Sequence, residues 1–301
     1  MTEEPGVAAV AWSLAGSVAL LWLGYINLPS MSVSMDGQRY LHAGTRQPVP
    51  FPFALRWLLP LLCGASVRRW QLCTMTHLVF LPPLITLWIE PWVADDRLRV
   101  TAGLLVCGFA GIWRSNLRRP VLVDAPAMTW SLCAAILFQH HLWYLGILGS
   151  LVAGSIKETG PVFAACYAWN PLGLLGLLAP IVRGLTARPG SDPAGEESLL
   201  RDPLRTGRLS HMGRWLDPAS MVAPWGAAVL AAFTTDSVII RSLVITTVVA
   251  YGQLLVATGT ARLYQWAAPP VVLGAVTVIP ARWAIGILVL HQFNPWAGEG
   301  Q

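Results

Sequence analysis

Lysine is almost absent from this sequence. Of its 20 cationic side chains, Lys157 alone is not arginine. Charge of either sign is scarce, at 12% of residues, where a soluble domain carries roughly 25%. That scarcity excludes an ordinary solvated surface. The five cysteines (Cys63, Cys73, Cys107, Cys133 and Cys166) stand singly in apolar stretches with no CxxC pair. They therefore read as small buried hydrophobes, with neither a disulfide framework nor a zinc site. No internal repeat, HExxH, Gly-rich phosphate loop or Ser-His-Asp order is present, and nothing supports nucleic-acid binding. The first residues carry Glu3 and Glu4 where a signal peptide has a basic region, so the first apolar run is expected to remain as a transmembrane helix.

What is there is apolar. The chain of 301 residues is 55% hydrophobic and has 15 tryptophans, and its mean hydropathy is +0.56. Long apolar runs with little charge place it in the membrane class. Tryptophan favours the membrane–water interface, and Trp70, Trp88, Trp92, Trp113, Trp143, Trp215 and Trp283 sit near the ends of apolar runs. A span needs about 20 residues. The runs at 7–29 and 71–93 qualify, the second with a kink expected at Pro82-Pro83. Shorter or broken runs follow at 54–66, 100–113, 121–138, 142–156, 160–185, 218–233, 238–258 and 266–293. The expectation is an all-α, polytopic transmembrane helical bundle of about nine to eleven crossings, some short or re-entrant. It forms a single domain over 1–301, with one polar, Arg-rich loop at 186–217 suited to a membrane surface. Basic loops stay in the cytoplasm. Arg68-Arg69 and "RSNLRRP" (114–120) therefore place the first loop, with Asp36, and the acidic loop "EPWVADD" (90–96) outside.

Several residues are candidates for chemistry. Asp36 is either an external catalytic acid or a cap for the helix "GQRYLHAG". Glu90, Asp95 and Asp96 are solvated loop charge or ligands to a divalent metal. Lys157 and Glu158 adjoin apolar runs, as an intramembrane ion pair or a solvated turn. Asp124 opens an apolar run, where N-capping is the plain role. Arg241 lies inside "SVIIRSLVI" and should face the bundle interior or snorkel. His140-His141 suit an interfacial turn, because neighbours on a helix point about 100° apart.

In their order along the chain, "MDGQRYL", "PFPFALRWLLP", "EPWVADD", "AGSIKETGP" and "ARLYQWAAPP" resemble motifs of the multi-span GT-C class of glycosyltransferases. The resemblance implies sugar transfer from a polyprenyl-phosphate donor on the extracytoplasmic side of a bacterial inner membrane. Asp36 would be the catalytic base. Arg39, Tyr40, Arg56, Lys157, Glu158 and Arg262 would bind substrate, and Asp95 and Asp96 would bind Mg or Mn if a metal is used. The expected partners are membrane lipid and the lipid-linked sugar. The 301 residues are few for that class, and no soluble domain is expected after the last apolar run. The alternative is therefore a non-catalytic subunit of a larger membrane complex, or a transporter or lipid flippase with ionisable groups near the midplane.

Overall fold

A computed structural model describes residues 5–27, 30–191, 222–253 and 260–293. Among these the chain is helical, without a β-strand. Its contacts divide it into two compact units. Unit 1 comprises Met1–Asn27, Leu78–Ser115 and Gly207–Gln301, and unit 2 comprises Leu28–His77 and Asn116–Thr206.

In unit 1, α1 (Pro5–Ile26) is apolar all round. Trp12 and Trp22 are 71% and 61% exposed, as a helix facing lipid would leave them. α4 (Val67–Trp88) runs on through Pro82 and Pro83. Pro83 has no N–H to give the carbonyl of Val79; the Ser17 hydroxyl of α1 lies 2.8 Å from it and shares its one proton between this carbonyl and that of Leu14, also at 2.8 Å. α5 (Asp96–Leu105) is followed by an extended residue, Phe109, and a π-turn over Ala110–Arg114. There the buried Gln265 accepts the Gly111 N–H at 2.6 Å. The unit is completed by α11 (Ser237–Gly252), α12 (Thr260–Tyr264), α13 (Ala268–Val278) and α14 (Ala284–Gln292).

Unit 2 contains α2 (Met35–Gly44), α3 (Leu58–Cys63), the first half of α4, α7 (Asp124–Gln139), α8 (Trp143–Ile156), α9 (Gly160–Ala168) and α10 (Leu178–Thr186). A short α6 (Ser115–Arg118) precedes α7. Small residues line the buried side of α8 at 146, 149, 150, 153 and 154, and small residues let helix backbones approach closely. At Gly154 a Cβ would lie 2.4 Å from the carbonyl oxygen of Gly176, so no larger residue fits. Ser150 closes the same contact by donating to the Gly173 carbonyl at 2.5 Å.

By length and composition, two helices among the described residues are able to cross a membrane, Gly6–Ile26 and Val67–Trp88. The number rises to four if two bent pairs, at 61° and 114°, each count as one span. The other apolar helices have 10–17 residues, less than the roughly 20 of a straight span. The shortfall has local causes. The run at 160–185 breaks where Trp169 turns left-handed and the Asn170 side chain caps a new turn at Pro171, as its Asn-Pro pair leads one to expect. The run at 266–293 breaks at extended Ile279 and Pro280. Most of the Arg-rich loop, from 192 to 221, lies outside the described residues.

Candidate functional site

Six of the candidate residues, Asp36, Arg39, Tyr40, Arg56, Lys157 and Glu158, lie in unit 2, and contacts tie them into one cluster. α2 starts at Ser34, whose hydroxyl accepts the Gly37 N–H at 3.1 Å. Ser34 is thus the cap. Asp36 sits in the first turn, where a carboxylate also meets the positive end of the helix dipole. One turn on, Arg39 reaches back to Asp36 at 3.2 Å. The Asp36 side chain is 26% exposed and that of Arg39 is 5% exposed.

Arg56 follows a short 3-10 turn, Phe53–Leu55. Its Nε and one terminal nitrogen hold both carboxylate oxygens of Glu158, at 2.7 and 2.5 Å. The other terminal nitrogen donates to the Tyr40 hydroxyl at 2.7 Å. A two-pronged guanidinium–carboxylate contact is stronger and more directional than a single bond. Phe53 packs between the cations, with the Arg39 and Arg56 guanidinium carbons 4.9 and 5.2 Å from its ring centre. Such contacts favour a charge held over the ring face. Tyr40 packs against Phe53 and against Trp70 of α4, with ring centres 5.3 and 5.6 Å apart.

These groups lie in α2 and in turns, outside the membrane-length helices, and their acidities follow from the contacts. Burial alone would raise the Glu158 carboxyl, but the charge and hydrogen bonds of Arg56 outweigh it and hold it below the usual range. Burial works against the charge of Arg56, yet Glu158 and Tyr40 prevail and hold it firmly charged. Burial raises the Tyr40 phenol and keeps it neutral.

Lys157 and Glu158 do not form a pair with each other. Lys157 donates to Asp124 at 2.6 Å, and both side chains are buried. The backbone at Lys157 is extended (φ −151°, ψ 129°), and successive side chains on extended chain point to opposite sides. Each neighbour therefore finds a different partner. Asp124 is the first residue of α7, one position after the N-cap Val123, and its carboxylate meets Lys157. The sequence carried a signal for the pairing. Between Pro120 and Val182 the only charged residues are Asp124, Lys157 and Glu158.

A cavity of about 590 Å³ adjoins the cluster and shares Phe53 and Arg56 with it. Its walls also include Arg46, Arg183, Arg188 and Trp57, with no carboxylate among the described residues. The first three arginines were not singled out by sequence motif.

The remaining candidates lie elsewhere. Arg262 is in α12 of unit 1 and is half-buried. Asp95 accepts the N–H groups of Arg97 and Leu98 at 2.8 and 3.2 Å and so caps α5. Asp96 is paired with Arg99, which also holds Glu90 at 2.9 Å. These acids are thus occupied by a helix end and an arginine. Among the described residues no three His, Cys, Asp or Glu side chains gather as a metal would require. Arg241 is exposed on α11 and does not face an interior. His140 and His141 form the exposed turn after α7, with φ 59° at His141.

No family model matches the chain, and no curated protein or solved structure matches it either.

Proposed function

We propose that the chain is a membrane-embedded glycosyltransferase-like protein, moving a sugar from a polyprenyl-phosphate carrier to an acceptor at the outer face of a bacterial inner membrane. The observation that carries this reading is the cluster in unit 2. The acid and five of the six expected substrate-binding residues meet there, beside an arginine-walled cavity. Asp36 accepts the proton of the acceptor hydroxyl as that oxygen attacks the anomeric carbon. The bond to the carrier phosphate breaks, and the cationic wall stabilises the departing phosphate. Arg56 acts as a fixed part of that wall, oriented by Glu158 and Tyr40. The Lys157–Asp124 pair anchors the turn that carries Glu158. The apolar surface of α8 and α10, with Leu145, Leu148, Ile181 and Val182 about half exposed, faces lipid. On this reading the short apolar helices complete the crossings in bent pairs.

One observation favours the non-catalytic subunit or transporter. The six ionisable groups are three acids and three bases, and each has an opposite partner, as a purely structural network would have. Transfer of labelled sugar from polyprenyl-phosphate donors, by the full chain in nanodiscs, separates the two. The glycosyltransferase reading expects product with at least one donor. Absence of product with every donor moves the assignment to the non-catalytic alternative.

A further inference from the structure

The cavity of unit 2 has an unusual charge balance. Among the described residues, four arginines line it and no acid does. Glu158 neutralises Arg56. No salt bridge among the described residues engages Arg46, Arg183 or Arg188; the one side-chain bond of this trio runs from Arg183 to the neutral Ala54 carbonyl at 3.3 Å. All three are solvent-exposed, so solvent screens their mutual repulsion, and an anion entering the cavity would be attracted by each of them. The backbone holds them there. Gly190 donates its N–H to the Val49 carbonyl at 3.2 Å, which straps the segment after α10 onto the segment after α2. At Gly190 a Cβ would come within 2.3 Å of the Pro48 carbonyl oxygen, so the strap needs glycine. Arg46 has φ 63°, a left-handed conformation that costs a non-glycine residue about 1 kcal/mol or more, and here it places a cation on the cavity wall.

We infer that this cavity binds a diphosphate. The inference deepens the reading of unit 2 as a lipid-phosphate site and rests on it for the lipid part. A carrier phosphate joined to a sugar is a diester with one negative charge. A diphosphate joined at both ends has two, and one joined at a single end has up to three. Three unneutralised guanidiniums, each able to hold phosphate oxygens in a two-pronged contact, match the diphosphate and over-supply the monophosphate. Trp57, Pro60 and Leu61 on the same wall offer apolar surface to the first carbons of a prenyl chain.

The test is calorimetric titration of the purified full chain in nanodiscs with inorganic phosphate, inorganic diphosphate, a short prenyl phosphate and a short prenyl diphosphate. Each diphosphate is expected to bind at least about tenfold tighter than its monophosphate, which corresponds to about 1.4 kcal/mol. Arg46→Gly is the sharpest variant. Glycine takes a positive φ without strain, so the melting temperature should hold or rise while diphosphate affinity falls about fivefold or more. Arg188→Ala should weaken binding similarly. Tighter binding of the prenyl diphosphate than of inorganic diphosphate assigns the ligand to a lipid. Equal binding assigns it to a soluble diphosphate, and both results uphold the site. Equal affinity for phosphate and diphosphate overturns the inference, as does unchanged diphosphate affinity in both arginine variants. Sugar transfer without diphosphate preference would remove this inference alone. Diphosphate binding without transfer from any donor would remove the glycosyltransferase reading and leave the site.

Discussion

The two units meet the same problem and differ in what they bury beside it. Both contain broken helices whose backbone groups need partners away from water. Around its breaks unit 1 supplies neutral ones; its buried Arg99, paired with Glu90 and Asp96, lies near the start of α5. Gln265 accepts from Gly111 and donates to the Pro224 carbonyl at 3.3 Å. His291 contacts the Leu105 carbonyl at 2.8 Å through Nε2 and accepts the Ala227 N–H at 3.2 Å through Nδ1. A carbonyl only accepts, so the ring proton sits on Nε2. Unit 2 places ions inside, including a lysine and an aspartate that are each about 95% covered. Neutral amides satisfy backbone at far smaller desolvation cost than ions. Unit 2 has neutral partners of this kind too, such as Ser150 on the Gly173 carbonyl, so its buried ions come in addition to the groups that satisfy broken helices.

The largest effect expected from breaking that contrast is at Lys157. Lys157→Met leaves Asp124 buried without its partner, which should cost about 3–5 kcal/mol. Adding Asp124→Asn should recover part of the loss, and adding Glu158→Gln should not, because Glu158 answers to Arg56. Chemical or thermal unfolding of the three variants checks this. Recovery with Glu158→Gln instead would contradict the pairing.

A smaller effect belongs to unit 1. Gln265→Leu strips the Gly111 N–H and the Pro224 carbonyl of their partner, and one buried unsatisfied group costs about 1–3 kcal/mol. The loss should appear as a lowered melting temperature, with diphosphate binding unchanged. Weaker still is Asp95→Ala, where a lost helix cap is worth about 1 kcal/mol. Asp95→Asn, which still caps, should be near neutral. Equal loss of metal-stimulated activity in both Asp95 variants would restore a ligand role to this residue.

The pH dependence sharpens the comparison further. The folded-state pKa of Glu158 is depressed, because the charge and hydrogen bonds of Arg56 outweigh burial. Its contribution to stability is therefore present above the ordinary glutamate value of about 4.3, and it is lost as pH falls through the lower folded value. The effect is modest, because the carboxylate is 27% exposed and solvent screens it. Glu158→Gln should flatten the acid side of the stability profile, and an unchanged profile would count against the depressed value.

Much of the cluster was legible in the sequence, because isolated charges in apolar runs are expensive and stand out. Lys157 and Glu158 stand out that way, Asp36 stands out as an acid in a loop between apolar runs, and Arg39, Tyr40 and Arg56 follow only from the resemblance of their motifs. The break at Asn170-Pro171 was legible from its dipeptide. Pairing was not, since adjacency suggested Lys157 with Glu158 while the extended backbone at Lys157 separates them. Asp124 looked like a helix cap because acids at helix starts usually are. Arg262 could not be assigned to a unit, because the chain passes between the units more than once. The cavity arginines were hidden for a different reason. Arg46 and Arg188 lie far apart in sequence and meet through the Val49–Gly190 strap, which no motif announces.

The central claim is that the unit 2 cluster performs transfer and does not merely hold the fold, and Asp36→Asn tests it most directly. Ser34 caps α2, so the substitution leaves the cap intact, and asparagine preserves the side-chain shape. The measurement is the rate of sugar transfer from a polyprenyl-phosphate donor, taken beside the melting temperature of the same preparation. A fall of about 100- to 10,000-fold in rate is expected, the usual worth of a general base, with only a small drop in melting temperature, because the asparagine Oδ1 still accepts from Arg39. Full transfer by the Asp36→Asn protein would contradict it.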